Sequence, residues 1–206
     1  MENLNDLKKH IRDLNLELIT KDQDLSVDIK NRFNKKFRLF YPSRKLIDCV
    51  IKSGGVLIGS RAIKCYKLKG CDLFTRKVYD WDFIVTPEQA FKICSEMNIN
   101  KIPEIDQVIS VKNQRYWSHS AYSDSKRVGP VDVQLIVSDE LPDYNEFGGV
   151  RIASFEYSLS KKLELIKMLD NEVNMKYNRD LSDDLHKHVI DIKSLIINFN
   201  NIKMNK

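Results

Sequence analysis

Two short runs, Trp81-Asp82-Phe83-Ile84-Val85 and Val131-Asp132-Val133-Gln134-Leu135-Ile136-Val137, constrain the fold more than anything else in the chain. Both are rich in β-branched and aromatic residues and too short for core helices, so both predict buried strands. Yet both carry acid: Asp80 and Asp82 flank Trp81, and Asp132 stands near the start of the second run. Alternation along a strand sends Asp80 and Asp82 to one face and Trp81 to the other. If the two strands are neighbours, three carboxylates share one small patch. Like charges held out of water repel, and leaving them unpaired is expensive. A divalent cation resolves the conflict, and Mg²⁺ held by carboxylates usually takes substrate phosphates as well.

Upstream stands Gly54-Gly55-Val56-Leu57-Ile58-Gly59-Ser60-Arg61-Ala62-Ile63. Val56 to Ile58 predicts a strand and Gly59 a tight turn. Ser60 is suited to cap a helix running through Ala62, Ile63 and Tyr66. Unpaired N–H groups at such a start favour phosphate.

The remaining patterns alternate helix with strand and predict a mixed α/β (α+β) fold. Leu4, Leu7, Ile11, Leu14 and Leu18 predict a helix over 3–19. Residues 30–41 interleave Lys and Arg with Phe and Tyr, a pattern that suits an anchored linker or a nucleic-acid arm. Pro42-Ser43 opens a helix through Leu46, Ile47, Val50 and Ile51 that stops at Gly54-Gly55. Thr86-Pro87-Glu88-Gln89 is a capping box with proline at the first helical position, so a helix covers Pro87 to Met97. Residues 105–120 read as a hairpin, and Leu141-Pro142 with Gly148-Gly149 mark a boundary. Leu159, Leu163 and Ile166, then Leu185, Val189, Ile192, Ile196 and Phe199, predict two C-terminal helices. His186 and His188 stand roughly 200° apart on such a helix and are poorly placed to share a metal ion. Three regions follow: an N-terminal helix and basic-aromatic arm (1–41), an α/β core (42–150) and a helical region (151–206).

The order Gly59-Ser60, Asp80-x-Asp82, Asp132 resembles the nucleotidyltransferase superfamily, which includes DNA polymerase β and the poly(A) and CCA-adding enzymes. The wording around Gly59-Ser60-Arg61-Ala62 and Asp80-Trp81-Asp82 is similar to small phage, viral and bacterial members. The resemblance runs from Gly54 to Val137. It implies a mixed sheet flanked by helices, with a helical C-terminal region. It also implies transfer of a nucleoside monophosphate from an NTP such as ATP to a hydroxyl, with RNA such as a tRNA end a candidate acceptor. Asp80, Asp82 and Asp132 would be the catalytic residues and the ligands of two Mg²⁺ or Mn²⁺ ions. Gly59, Ser60, Arg61, Arg76, and Lys161 or Lys162 would contact the nucleotide. Twenty positions separate Ser60 from Asp80, longer than is usual in the family. An extra turn around Lys69-Gly70-Cys71-Asp72 would account for the excess.

Composition fits this reading without demanding it. Of 206 residues, 42% are hydrophobic and 31% charged, a balance that supports a packed core. Lys and Arg exceed Asp and Glu by 34 to 29, a mild surplus compatible with nucleotide or nucleic acid. Cysteines at 49, 65, 71 and 94 match neither a zinc motif nor a disulfide framework, as expected of a reduced cytoplasmic protein. No run approaches membrane length, so no membrane partner is expected. The richness in Asn, Lys and Ile suits a phage gene and hence a host cytoplasm. Two rivals remain in view. One is a metal-dependent Asp-x-Asp glycosyltransferase, which would turn over a UDP-sugar and no NTP. The other is a non-catalytic domain of the same kind acting as antitoxin, inhibitor or scaffold, which would lack Mg²⁺-dependent nucleotide binding.

Overall fold

The computed structural model describes residues 24–28, 41–100, 103–112, 115–120, 133–174 and 179–205. The helix expected over 3–19 and nearly all of the basic-aromatic arm lie outside them. The described residues combine helices and sheets in a mixed α+β fold and divide into two units.

The larger unit takes the described residues within Asp28–Cys65 and Val78–Ser154. Its elements are α1 (Tyr41–Lys52), β2 (Val56–Leu57), α2 (Gly59–Cys65), β5 (Trp81–Val85), α3 (Pro87–Glu96), β6 (Gln107–Lys112), β7 (Arg115–Ser120), β8 (Val133–Val137), β9 (Tyr144–Phe147) and β10 (Val150–Ala153). Its strands form one mixed sheet in the order β7-β6-β8-β5-β2-β10-β9. The two acid-bearing runs are indeed neighbours: β5 pairs with β8 in parallel, Trp81 opposite Val133 and Asp82 opposite Gln134.

Register makes this sheet two-faced. Ile152, Leu57, Phe83, Leu135 and Ile109 stand opposite one another across β10, β2, β5, β8 and β6. All five are at 0% exposure, which marks their face as the core face. Helix α1 packs on β5, and a Cβ on Gly55 would stand 2.6 Å from Val50 Cγ1 and 3.0 Å from Val85 Cγ1. Glycine is needed there because helix and sheet approach so closely. Helix α3 packs on β8 and on α1. Its N-terminus has the expected capping box, with Gln89 N–H donating to Thr86 Oγ1 (3.3 Å) and Thr86 N–H to Gln89 Oε1 (2.9 Å). Gly148-Gly149 do not mark a boundary. They form the turn of the β9–β10 hairpin, and β10 pairs in parallel with β2.

The smaller unit takes the described residues within Met1–Val27, Tyr66–Lys77 and Phe155–Lys206. It contains β1 (Leu25–Val27), β3 (Tyr66–Leu68), β4 (Cys71–Asp72), α4 (Phe155–Asn174) and α5 (Arg179–Met204). The excess length between Ser60 and Asp80 is the β3–β4 hairpin, closed by Lys69-Gly70, and β1 pairs antiparallel with β3. Leu169, Leu185 and Val189 join the two helices, with Leu165 and Ile166 against them. Phe155 meets Tyr66 edge-on at 5.3 Å.

Phe83→Ala is expected to cost about 3–5 kcal/mol, because it removes the middle of the buried five-strand row. Denaturant unfolding measures this, and a loss below about 1 kcal/mol would show that the row does not anchor the sheet.

Candidate functional site

The chemistry-bearing residues of the larger unit meet where β2 turns into α2 beside β5. The two strands pair antiparallel, Leu57 opposite Phe83, and the Ile58 N–H donates to the Asp82 carbonyl at 2.9 Å. This pairing brings the turn at Gly59 against Asp82. Gly59 has φ +69°, and a Cβ there would stand 2.8 Å from Asp82 Oδ2. Any other residue would be strained in its backbone and would collide with the carboxylate. Ser60 falls inside the first turn of α2, not at its cap, because the chain enters the helix directly at Gly59.

Asp80 and Asp82 are both half-buried. Asp82 lies on β5, on the face opposite Phe83, and Asp80 immediately precedes the strand. Asp132 lies outside the described residues, one position before the start of β8. Asp80 and Asp82 offer oxygen donors only, which fits Mg²⁺ or Mn²⁺. Their partial exposure leaves room for the waters and substrate oxygens such ions retain. Among the described residues no group of three or more His, Cys, Asp or Glu side chains could hold a metal ion.

Arg61 is buried and donates to the backbone. Its Nε donates to the Asp80 carbonyl at 2.8 Å, and its Nη2 to the carbonyls of Val78 and Tyr79, both at 2.9 Å. The guanidinium also lies 4.0 Å from the centroid of the Trp81 ring. One side chain thus holds three consecutive peptides leading into the acidic strand. Burial lowers its pKa to about 10, against the opposing pull of Cys65, Asp82 and Asp80, so it stays charged at neutral pH. This bonding makes Arg61 a support for the Asp pair.

In the smaller unit, Arg76 and Lys162 converge on Asp191. Arg76 grips it with Nε at 2.6 Å from Oδ1 and Nη2 at 3.0 Å from Oδ2, and Lys162 Nζ lies 2.8 Å from Oδ2. Lys162 and Asp191 are both buried. Burial lowers the Lys162 pKa, while the adjacent Asp191 opposes that shift. Lys162 Nζ is also 3.1 Å from His188 Nδ1, so His188 packs within this cluster. Lys161, by contrast, is exposed and pairs with Glu164 at 2.7 Å. Asp191 was invisible to sequence reasoning: an acid in a helical stripe looks like a solvated face until its partners are known.

Cys49, Cys65, Cys71 and Cys94 are free thiols, with Cys71 exposed. Burial pushes the Cys49 thiol up to about 11, with Glu96 adding to the shift. No described helix is long and apolar enough to cross a membrane.

A family model, Domain of unknown function (DUF7277), matches residues 55–199. The chain belongs to this family. The DUF7277 match begins at the entry to β2, ends inside α5 and includes every candidate site residue. Comparison with curated proteins and with solved structures gives no match.

Gly59→Ala is expected to destabilise by about 1–2 kcal/mol through its left-handed backbone alone, and to displace Asp82. A thermal midpoint equal to the parent's would contradict the close approach. Asp191→Ala should cost about 3–5 kcal/mol, since it strands a buried cation. Equilibrium unfolding of that variant in low and high salt checks this. A loss that vanishes in high salt would place the pair at the surface instead.

Proposed function

We propose that this protein is a metal-dependent nucleotidyltransferase. The observation that supports the reading best is the packing of Asp82 against the Gly59 turn, on a strand paired with the strand that follows Asp132. Sequence order alone did not require these distant segments to meet. Asp80 and Asp82 would hold the ions, and the reading requires Asp132 to reach the same patch. Mg²⁺ or Mn²⁺ bound there would offset the charge of the triphosphate and lower the pKa of an attacking hydroxyl. The absence of a side chain at Gly59 lets Asp82 lie directly against the turn, with Ser60 next in the chain. In the reaction, the acceptor oxygen bonds to the α-phosphorus, the bond to the β-phosphate breaks, pyrophosphate leaves and the hydroxyl proton goes to solvent.

Arg61 serves this reading by fixing the peptides of Val78 to Asp80, so the carboxylates meet substrate already oriented. Arg76 and Lys162 are engaged with Asp191 in the smaller unit. The acceptor is a hydroxyl compound, with RNA the first candidate on grounds of charge.

The test is incubation of the protein with each α-labelled NTP, Mg²⁺ or Mn²⁺, and total cellular RNA and protein. Label should enter one class of acceptor. Asp82→Asn, with an unchanged circular dichroism spectrum, should lower the rate by about a hundredfold or more. Absence of transfer from every NTP, or full activity in the folded variant, would overturn the proposal.

A further inference from the structure

The face of the sheet that carries Asp82 holds a polar row whose other members the sequence did not single out. Asp82 stands opposite Gln134 on β8, and Gln134 stands opposite Ser110 on β6. Directly paired residues project to the same side of a sheet, and neighbouring strands are about 4.8 Å apart. The next row on this face is apolar: Ile84, Ile136 and Val108. So is the opposite face, through Phe83, Leu135 and Ile109. Gln134 is half-buried. Ser110 is only 1% exposed, yet its hydroxyl has no hydrogen-bond partner among the described residues. An unpaired buried hydroxyl is a cost that stability does not explain, and such groups in native proteins call for another account.

We propose that Gln134 and Ser110 seat the ribose of the donor nucleotide, with the Gln134 amide bonding its vicinal hydroxyls and Ser110 fixing that amide. The inference rests on the nucleotidyl reading. If Asp82 serves the phosphates, the sugar attached to them lies one strand away. The chemistry of the row agrees. Phosphate oxygens only accept hydrogen bonds, and an amide beside a carboxylate is a poor second phosphate site. A diol both donates and accepts, which matches an amide that presents an NH2 group and a carbonyl oxygen. A hydroxyl-reading site of this kind discriminates strongly against an analogue lacking the hydroxyls.

Calorimetric titration of the full chain in Mg²⁺ with three probes decides the matter: α,β-methylene ATP, its 2′,3′-dideoxy analogue and inorganic tripolyphosphate. The parent protein should prefer the ribonucleotide to the dideoxynucleotide by about tenfold or more. Gln134→Leu should erase that preference and leave tripolyphosphate affinity unchanged. Ser110→Ala should narrow the preference without lowering the thermal midpoint, because its hydroxyl supports nothing in the free protein. No binding of any probe would remove the nucleotidyl reading, and this inference with it. Nucleotide binding without ribose preference, or a preference unchanged in both variants, would overturn this inference alone. A lowered midpoint in Ser110→Ala would show the hydroxyl to be structural and would overturn its role here.

Discussion

The parallel pairing of β5 with β8 is the constraint on which the site depends. A strand's side chains alternate between two faces, so a slip of one residue would exchange every inward group for an outward one. Here the apolar row from Ile152 to Ile109 forbids such a slip. Moving Phe83 out of that row would expose a large ring and bring Asp82 into the core in its place. The positions of Asp82, Gln134 and Ser110 are therefore set by the residues beside them, which are selected for packing. The polar row contributes little to choosing the register and inherits it.

Two buried cations in this protein are accommodated by different means. Arg61 has peptide carbonyls and a tryptophan face for company. Carbonyl dipoles and a π-face compensate desolvation only in part, which is why burial still lowers its pKa. Lys162 has the opposite solution, a buried carboxylate shared with Arg76. Such a cluster contributes definition more than stability, because separating its members is far costlier than never burying them.

Much of this was legible in the chain, and the limits have physical causes. The strands at Trp81 and Val133, the helix at Pro87 and the hairpin near Gln107 follow from periodicity and capping, which are local. Their adjacency is not local, and the sequence could state it only as a condition. The β9–β10 hairpin escaped because Tyr144 to Phe147 are all exposed and give no alternation signal. Gly148-Gly149 then looked like a linker. The β3–β4 hairpin was located by excess length but not recognised as strand, since each of its strands is two or three residues long. Arg61 was given as a nucleotide contact only on the resemblance. Nothing short of tertiary structure shows that three carbonyls await it.

Gly59 shows how closely packing and chemistry are joined at this site. A glycine at a strand-to-helix turn has an ordinary explanation in its positive φ, and asparagine could partly meet that requirement. The 2.8 Å approach of Asp82 Oδ2 to the empty Cβ position removes that freedom, since even the smallest side chain would displace the carboxylate. The glycine that permits the turn is therefore also the residue that lets the Asp82 carboxylate come this close. Under the nucleotidyl proposal, the same closeness would put a metal ion held by Asp82 beside the bare backbone of the turn.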